Sequence, residues 1–165
     1  MAKHKLLLTR VFPDAVMDRA RRDYDCVDNP SDGLMSRDDL AAAATGCDAI
    51  LCSSRNPFDA AQVALLPESV RIVATFSVGY EHMDVAALAA RGIVAANTPD
   101  VLTEATADIA MLQLLCASRR AREALAMVVE DRWSGWTPTQ LLGVGFQGRR
   151  LGILGALPDA RSSLC

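Results

Sequence analysis

The stretch Arg71-Ile-Val-Ala-Thr-Phe76, with Ser77-Val-Gly-Tyr80 directly after it, decides the fold of this chain. Its first six residues form a short, β-branched apolar run without the apolar/polar alternation of a strand that has one solvated face. Such a run is typical of a strand in a parallel sheet, where helices cover both faces. We therefore predict a buried parallel strand over residues 71–76, ended by a glycine-containing turn.

On both sides of this strand, short apolar runs alternate with segments of helical spacing. Ser36 and Asp39 resemble a capping box, with Asp in place of Glu, and open an alanine-rich helix that ends at Gly46. The other predicted helices cover residues 13–23, 58–66 and 84–91, and the other predicted strands cover residues 5–9, 24–27, 49–52 and 93–96. This alternation predicts an α/β fold with a doubly wound parallel sheet over residues 1–99.

The sequence changes character after Pro99. Residues 102–129 hold no glycine or proline and are rich in alanine, leucine and methionine, which predicts one long helix. A loop with both tryptophans of the chain, Trp133 and Trp136, follows, and a glycine-rich stretch then leads to a predicted strand over residues 150–154. We therefore divide the chain into residues 1–99, residues 100–155 and a tail over residues 156–165.

Composition and charge exclude several classes of function. The 165 residues are 51% hydrophobic and carry a net charge of -3 without a basic stripe, which argues against disorder and against a nucleic-acid partner. The apolar run near the start is too short for a signal peptide or a membrane span, so we expect a cytoplasmic protein without a membrane partner. The five cysteines lack metal-ligand spacing, so we expect buried structural thiols and no metal site.

The candidate sites are the segments that follow the apolar runs, because ligands of open parallel sheets bind beyond the carboxyl ends of the strands. Residues 53–57 supply hydroxyl groups and the Arg55 guanidinium, which suit a small carboxylate, and a plain polar loop is an equally good interpretation. Gly79, after the central strand, allows backbone N–H groups to approach an anion, and it also suits a simple turn. Residues 150–155 resemble the start of a dinucleotide-binding turn.

Four runs of residues, in matching order and spacing, resemble the D-2-hydroxyacid dehydrogenase family, and within it the glyoxylate and hydroxypyruvate reductase branch. The resemblance covers about residues 5–155. The runs are Thr75-Phe-Ser-Val-Gly-Tyr-Glu-His-Met-Asp84, Asn97-Thr-Pro-Asp-Val-Leu-Thr-Glu-Ala-Thr-Ala-Asp108, Trp133-Ser-Gly-Trp136 and Gly148-Arg-Arg-Leu-Gly-Ile-Leu-Gly155.

The resemblance implies a two-lobe oxidoreductase that interconverts small 2-oxo acids and D-2-hydroxy acids with NAD or NADP. Residues 1–99 would be its flavodoxin-like substrate lobe, and residues 100–155 the beginning of its Rossmann cofactor lobe. It also implies that the backbone N–H groups of Val78 and Gly79 bind the substrate carboxylate, and that the loop at Ser54 and Arg55 closes over it.

In the second segment, the resemblance places Thr106 near the nicotinamide and makes Gly155 the first glycine of the cofactor turn. It further implies a homodimer formed through the long helix and an arm that carries Trp133 and Trp136. Burial of these two tryptophans in a core is the alternative interpretation.

The sequence departs from the family pattern after Gly155. Leu157 stands where the second glycine of the dinucleotide fingerprint belongs, and its side chain would occupy the space of the pyrophosphate. The family's catalytic arginine, histidine and carboxylate have no counterpart in this chain, and neither His4 nor His82 matches the acid–base position. We therefore expect no catalytic residue, no cofactor binding and no turnover by this chain alone, and we interpret residues 156–165 as the product of a frameshift or deletion in a truncated gene.

Two other functions are compatible with an alternating α/β sequence. The chain could act as a non-catalytic dimerisation or regulatory partner of a full-length relative. A receiver-like signalling domain would need an acidic pair after the first strand and an aspartate after a later one. Residues 9–12 and 53–55 supply no carboxylate, which argues against the receiver.

Overall fold

The computed structural model describes residues 2–153. These residues divide into two compact units, of which the first ends at Val101 and the second begins at Leu102. The assignment of these units as a substrate lobe and the start of a cofactor lobe stays a prediction.

The first unit is built around a five-stranded sheet. Its strands are β1 (Lys5–Leu8), β2 (Asp25–Val27), β3 (Ala49–Cys52), β4 (Ile72–Thr75) and β5 (Val94–Ala96). All four neighbouring pairs are parallel, in the order β2-β1-β3-β4-β5. This is the strand order of flavodoxin-like sheets, so the predicted fold class is confirmed.

Four helices connect these strands: α1 (Asp14–Asp23), α2 (Arg37–Ala43), α3 (Ala60–Leu65) and α4 (Val85–Ala90). The N-cap predicted before α2 is confirmed, because the Ser36 hydroxyl accepts from the Asp39 N–H at 3.2 Å. The Asp39 carboxylate accepts from the Ser36 hydroxyl at 2.7 Å and not from the Ser36 N–H, so the reciprocal backbone hydrogen bond of a capping box does not form. Gly92, which follows α4, has a φ of +68°, a left-handed conformation that glycine adopts without strain. Local capping and turn chemistry thus set these helix ends.

Two groups of buried apolar side chains pack the sheet. Leu7, Ile50 and Val73 belong to the larger group, and Leu6 and Leu8 belong to the smaller one. Neighbouring residues of β1 therefore fall into different groups, as expected when successive side chains point to opposite faces. Both faces of the sheet are covered, which explains why its strands read as continuous apolar runs.

The second unit corrects the prediction of one long helix over residues 102–129. The segment forms two helices, α5 (Thr103–Ser118) and α6 (Ala121–Val129), separated at Arg120, which has a φ of +54°. The break has a long-range cause, because the Ser118 carbonyl accepts the Val144 N–H at 2.8 Å. Gly143 permits this approach, since a Cβ there would collide with the Ser118 carbonyl oxygen.

The strand predicted over residues 150–154 is also not found in its described part, residues 150–153. A parallel strand needs a neighbour that accepts and donates its ladder hydrogen bonds. The part of the second unit that the structure describes contains two helices and no such neighbour.

The cysteines are only partly as predicted. Cys47 and Cys52 are buried, and burial raises the pKa of the Cys52 thiol to about 12, as suits an unreactive structural thiol. Cys116 is exposed, contrary to the prediction, because α5 buries only Ala107 among its residues. No helix in the described range combines the length and apolar character needed to cross a bilayer.

Candidate functional site

The loop after β4 carries the predicted carboxylate-binding residues Val78 and Gly79, and both are half-buried. The loop starts beside the end of β3, because the Phe76 N–H donates to the Cys52 carbonyl at 2.8 Å. Within residues 2–153, neither the Val78 N–H nor the Gly79 N–H has a protein acceptor. We call these two N–H groups the amide cradle.

In contrast, the three backbone carbonyl groups of residues 77–79 each accept a hydrogen bond. The Ser77 carbonyl accepts the Thr98 N–H at 3.0 Å, and the Val78 carbonyl accepts the Asn97 side-chain amide at 2.8 Å. The Gly79 carbonyl accepts the Ser77 hydroxyl at 2.7 Å. The loop therefore has fixed peptide planes and free donors, which is the arrangement of a preorganised anion site.

Two hydroxyl groups and a histidine ring form a series of hydrogen bonds that supports this loop. The Ser77 hydroxyl donates to a carbonyl and so has to accept from the Thr75 hydroxyl, 2.7 Å away. Thr75 has then used its one proton, so His82 Nε2, at 2.9 Å, has to be the donor to Thr75. Burial lowers the pKa of His82, with the Glu81 charge opposing the shift, so the neutral ring is favoured. The hydrogen bond to Thr75 then assigns the ring proton to Nε2. His82 thus supports the turn through the Thr75 hydroxyl.

The second predicted loop, with Ser54 and Arg55, follows β3. Its turn is closed by the Asn56 N–H, which donates to the Ser53 carbonyl at 3.0 Å, and it leaves Ser54 and Arg55 exposed. The Arg55 guanidinium has no carboxylate partner within residues 2–153. It is available for an anionic ligand.

Asn56, which the sequence did not single out, anchors this loop to the sheet. Its side chain is fully buried, and its oxygen accepts the Thr9 hydroxyl at 2.8 Å and the Ser53 N–H at 3.3 Å. Its Nδ2 group has no partner within the described residues. The position of Asn56 beyond the end of a strand was the only available signal.

Phe58 joins the two loops. Its N–H donates to the His82 carbonyl at 2.7 Å, and its carbonyl accepts the Asp84 N–H at 2.8 Å. The structure therefore brings the loop of Ser54 and Arg55 and the loop of Val78 and Gly79 to the same edge of the sheet, although no hydrogen bond or ion pair joins the two predicted pairs.

Glu81 supplies a negative charge beside the amide cradle. A Cβ built on Gly79 would lie 2.6 Å from Glu81 Oε2, so the Glu81 carboxylate already occupies the space on that side of Gly79. A side chain at position 79 would therefore displace the Glu81 carboxylate.

The two predicted cofactor residues lie in the second part of the chain. Thr106 is exposed in α5, and its N–H donates to the Leu102 carbonyl at 2.9 Å. Gly155 lies outside the described residues. The dinucleotide-binding turn predicted from Gly155 onwards therefore also lies outside the described residues.

No group of three or more potential ligands from His, Cys, Asp and Glu is placed to hold a metal ion within residues 2–153. The candidate ligand-binding features of the first unit are the amide cradle and the Arg55 guanidinium.

The sequence matches a family model and curated relatives. The model of the D-isomer specific 2-hydroxyacid dehydrogenase catalytic domain matches residues 6–139. Glycerate dehydrogenase from Hyphomicrobium methylovorum is 37% identical over 155 residues, which are 94% of this chain and 48% of that protein. Glyoxylate reductase from Korarchaeum cryptofilum is 35% identical over 93% of this chain and 46% of that protein. The chain thus spans about half the length of these relatives.

Solved structures match over nearly the whole chain. A protein from Polaromonas sp. JS6 66, assigned to the NAD-binding D-isomer specific 2-hydroxyacid dehydrogenases, has a TM-score of 0.92 and 38% identity over 99% of this chain and 51% of its own. An NADPH-dependent glyoxylate/hydroxypyruvate reductase from Sinorhizobium meliloti, in complex with NADP and malonate, has a TM-score of 0.80 and 29% identity over 99% of this chain and 49% of its own. The chain belongs to the D-isomer specific 2-hydroxyacid dehydrogenase family.

Proposed function

We propose that the first unit binds the carboxylate of a small 2-oxo or 2-hydroxy acid, such as glyoxylate or hydroxypyruvate, as the substrate lobe of an NAD(P)-dependent oxidoreductase. The observation that carries this proposal is the amide cradle, two half-buried backbone donors without a protein acceptor at the carboxyl end of β4. A carboxylate presents two oxygens and can accept from both donors at once.

The loop after β3 supports the same function. Arg55 provides an unpaired positive charge at the edge of the sheet where the amide cradle lies. A guanidinium binds a carboxylate through two parallel hydrogen bonds, so Arg55, with the Ser54 hydroxyl beside it, would close over the acid. A small acid suits this arrangement because only its carboxylate is recognised.

The role proposed for the first unit is to bind the substrate. Members of the family are NAD(P)-dependent dehydrogenases. Hydride transfer needs a bound nicotinamide in near-attack geometry and an acid–base group. We assign no residue of the first unit as the acid–base group. We keep the prediction that this chain alone does not turn over its substrate.

The first prediction is that glyoxylate binds at the amide cradle of the purified chain. In a ¹H–¹⁵N NMR titration, we expect saturable shifts of the Val78 and Gly79 amides, because both N–H groups gain a charged acceptor. The Arg55→Ala variant should bind at least about tenfold more weakly, as expected when a guanidinium that donates two hydrogen bonds to a carboxylate is lost. The exposed Arg149→Ala variant, in the second unit, serves as the control.

Two results would contradict these proposals. Absence of shifts at Val78 and Gly79 at millimolar glyoxylate would reject the carboxylate site. Consumption of NADH or NADPH with glyoxylate by the purified chain would reject the prediction that it is inactive alone.

A second candidate function is pairing with another copy of this chain or with a full-length relative. Trp133 and Trp136 are 59% and 79% exposed, so the alternative of a buried core is wrong. Large apolar side chains also stay exposed on α5 and α6, among them Leu112, Leu125 and Val129. Exposed apolar surface of this extent is typical of protein interfaces, and it favours a dimer through the second unit.

We predict that the chain sediments as a dimer and that the double variant Trp133→Ala/Trp136→Ala sediments as a monomer at the same concentration. Buried tryptophans dominate the affinity of many interfaces, so the loss should exceed tenfold, roughly 1.4 kcal/mol or more. Tyr80→Ala, which removes an exposed aromatic side chain from the first unit, is the control. A monomeric native chain that also fails to associate with an intact relative would reject this function.

A further inference from the structure

Asn97 is the first residue after β5, and the pairing of β5 with β4 places it beside the amide cradle. Its side-chain amide donates to the Val78 carbonyl at 2.8 Å across 19 residues of sequence. The residue is half-buried, and its side chain makes no hydrogen bond with either free N–H group. Its effect on a ligand would therefore pass through the backbone.

The hydrogen bond from Asn97 fixes one of the two cradle donors. The Val78 carbonyl and the Gly79 N–H belong to one planar, trans peptide group, so they point in opposite directions. When Asn97 holds the carbonyl on one side, the Gly79 N–H has to face the other side. The Thr98 N–H fixes the second donor in the same way, since its acceptor, the Ser77 carbonyl, shares a peptide group with the Val78 N–H.

The same hydrogen bond also strengthens the donor. A peptide group whose carbonyl already accepts a hydrogen bond is polarised, and its N–H becomes a better donor. A preorganised and polarised N–H loses little freedom when an anion arrives, so more of the interaction energy appears as affinity.

We propose that Asn97 is a positioning residue for carboxylate recognition, which orients and polarises the Gly79 N–H by holding the Val78 carbonyl. This inference rests on the proposed function of the amide cradle and adds a determinant of its affinity. The other loop contact, from the Ser77 hydroxyl to the Gly79 carbonyl, orients the next peptide group and so does not replace Asn97.

The test compares Asn97→Ala with the wild-type chain in the same glyoxylate titration. We expect the dissociation constant to rise about tenfold, because one hydrogen bond to the anion is weakened. In the ligand-free protein, the Gly79 amide proton should move upfield while the amides of β4 and β5 keep their shifts. A purely structural role for Asn97 predicts instead a lower stability with unchanged affinity and an unchanged Gly79 amide.

Asn29→Ala is the matched control, because the Asn29 amide also donates to two backbone carbonyls, those of Thr9 and Gly33, and these lie outside the cradle. It should lower stability and leave glyoxylate affinity within about twofold. If Asn97→Ala does not fold, Asn97→Ser takes its place. The serine side chain is too short to reach the Val78 carbonyl, so we expect the same loss of glyoxylate affinity.

The outcomes separate this inference from the proposed function. Wild-type affinity in the Asn97 variant, with the Gly79 amide unmoved, would overturn the role of Asn97 and leave the carboxylate site intact. Absence of glyoxylate binding by the wild-type chain would overturn the carboxylate site and the role of Asn97 together.

Discussion

Replacing Phe58 by alanine is expected to lower the free energy of unfolding by about 3 to 5 kcal/mol, which rivals the total stability of a small domain. Phe58 is among the largest side chains with no exposure, and it belongs to the larger apolar group of the first unit. Its removal leaves a cavity lined by apolar side chains, and the sheet cannot collapse into it, because β1, β3 and β4 hold one another in register.

Phe76→Ala is the matched control for this prediction. Phe76 is 45% exposed and contacts the Phe12 ring edge-on at a centroid distance of 5.5 Å, so we expect a loss of about 1 to 2 kcal/mol. Urea unfolding of the two variants, followed by circular dichroism, measures the difference. Equal losses in both variants would contradict the assignment of Phe58 to the core.

The sheet of the first unit could be predicted from sequence because its signals are local. Each strand is a short apolar run, and Ser36 and Gly92 mark helix ends through contacts within a few residues. The prediction of one long helix failed at Arg120, where no glycine or proline marks the break. Two residues earlier, the Ser118 carbonyl accepts the N–H of a distant residue, Val144. Helix propensity cannot report such a tertiary contact.

The location of the candidate site could also be predicted from the sequence, but the residues that hold its loops could not. Gly79 after an apolar strand, together with the family resemblance, pointed to the loop that carries the free N–H groups. The residues that hold these loops were missed, because the contact of Asn56 with Thr9 spans 47 residues and the contact of Asn97 with Val78 spans 19. Both contacts exist only after the parallel strands have paired, and the local signals in the sequence do not report contacts between distant residues.

Replacing Gly79 by valine is expected to weaken glyoxylate binding between about 10-fold and 100-fold, as expected when one hydrogen bond to a charged group is lost. An anion has to come within about 3 Å of the Gly79 nitrogen to accept its proton, and glycine leaves that approach open. A Cβ there meets Glu81 Oε2 at 2.6 Å, so the carboxylate has to move while two methyl groups enter the space around the cradle.

Gly33→Val separates this effect from a general cost of valine in a loop. A Cβ at Gly33 would lie 3.4 Å from the Ser31 hydroxyl, an ordinary contact, and neither glycine has a positive φ. Both variants should therefore fold, and only Gly79→Val should lose affinity in the NMR titration. Wild-type affinity in Gly79→Val would mean that the anion does not accept from the Gly79 N–H, and it would reject the two-donor site.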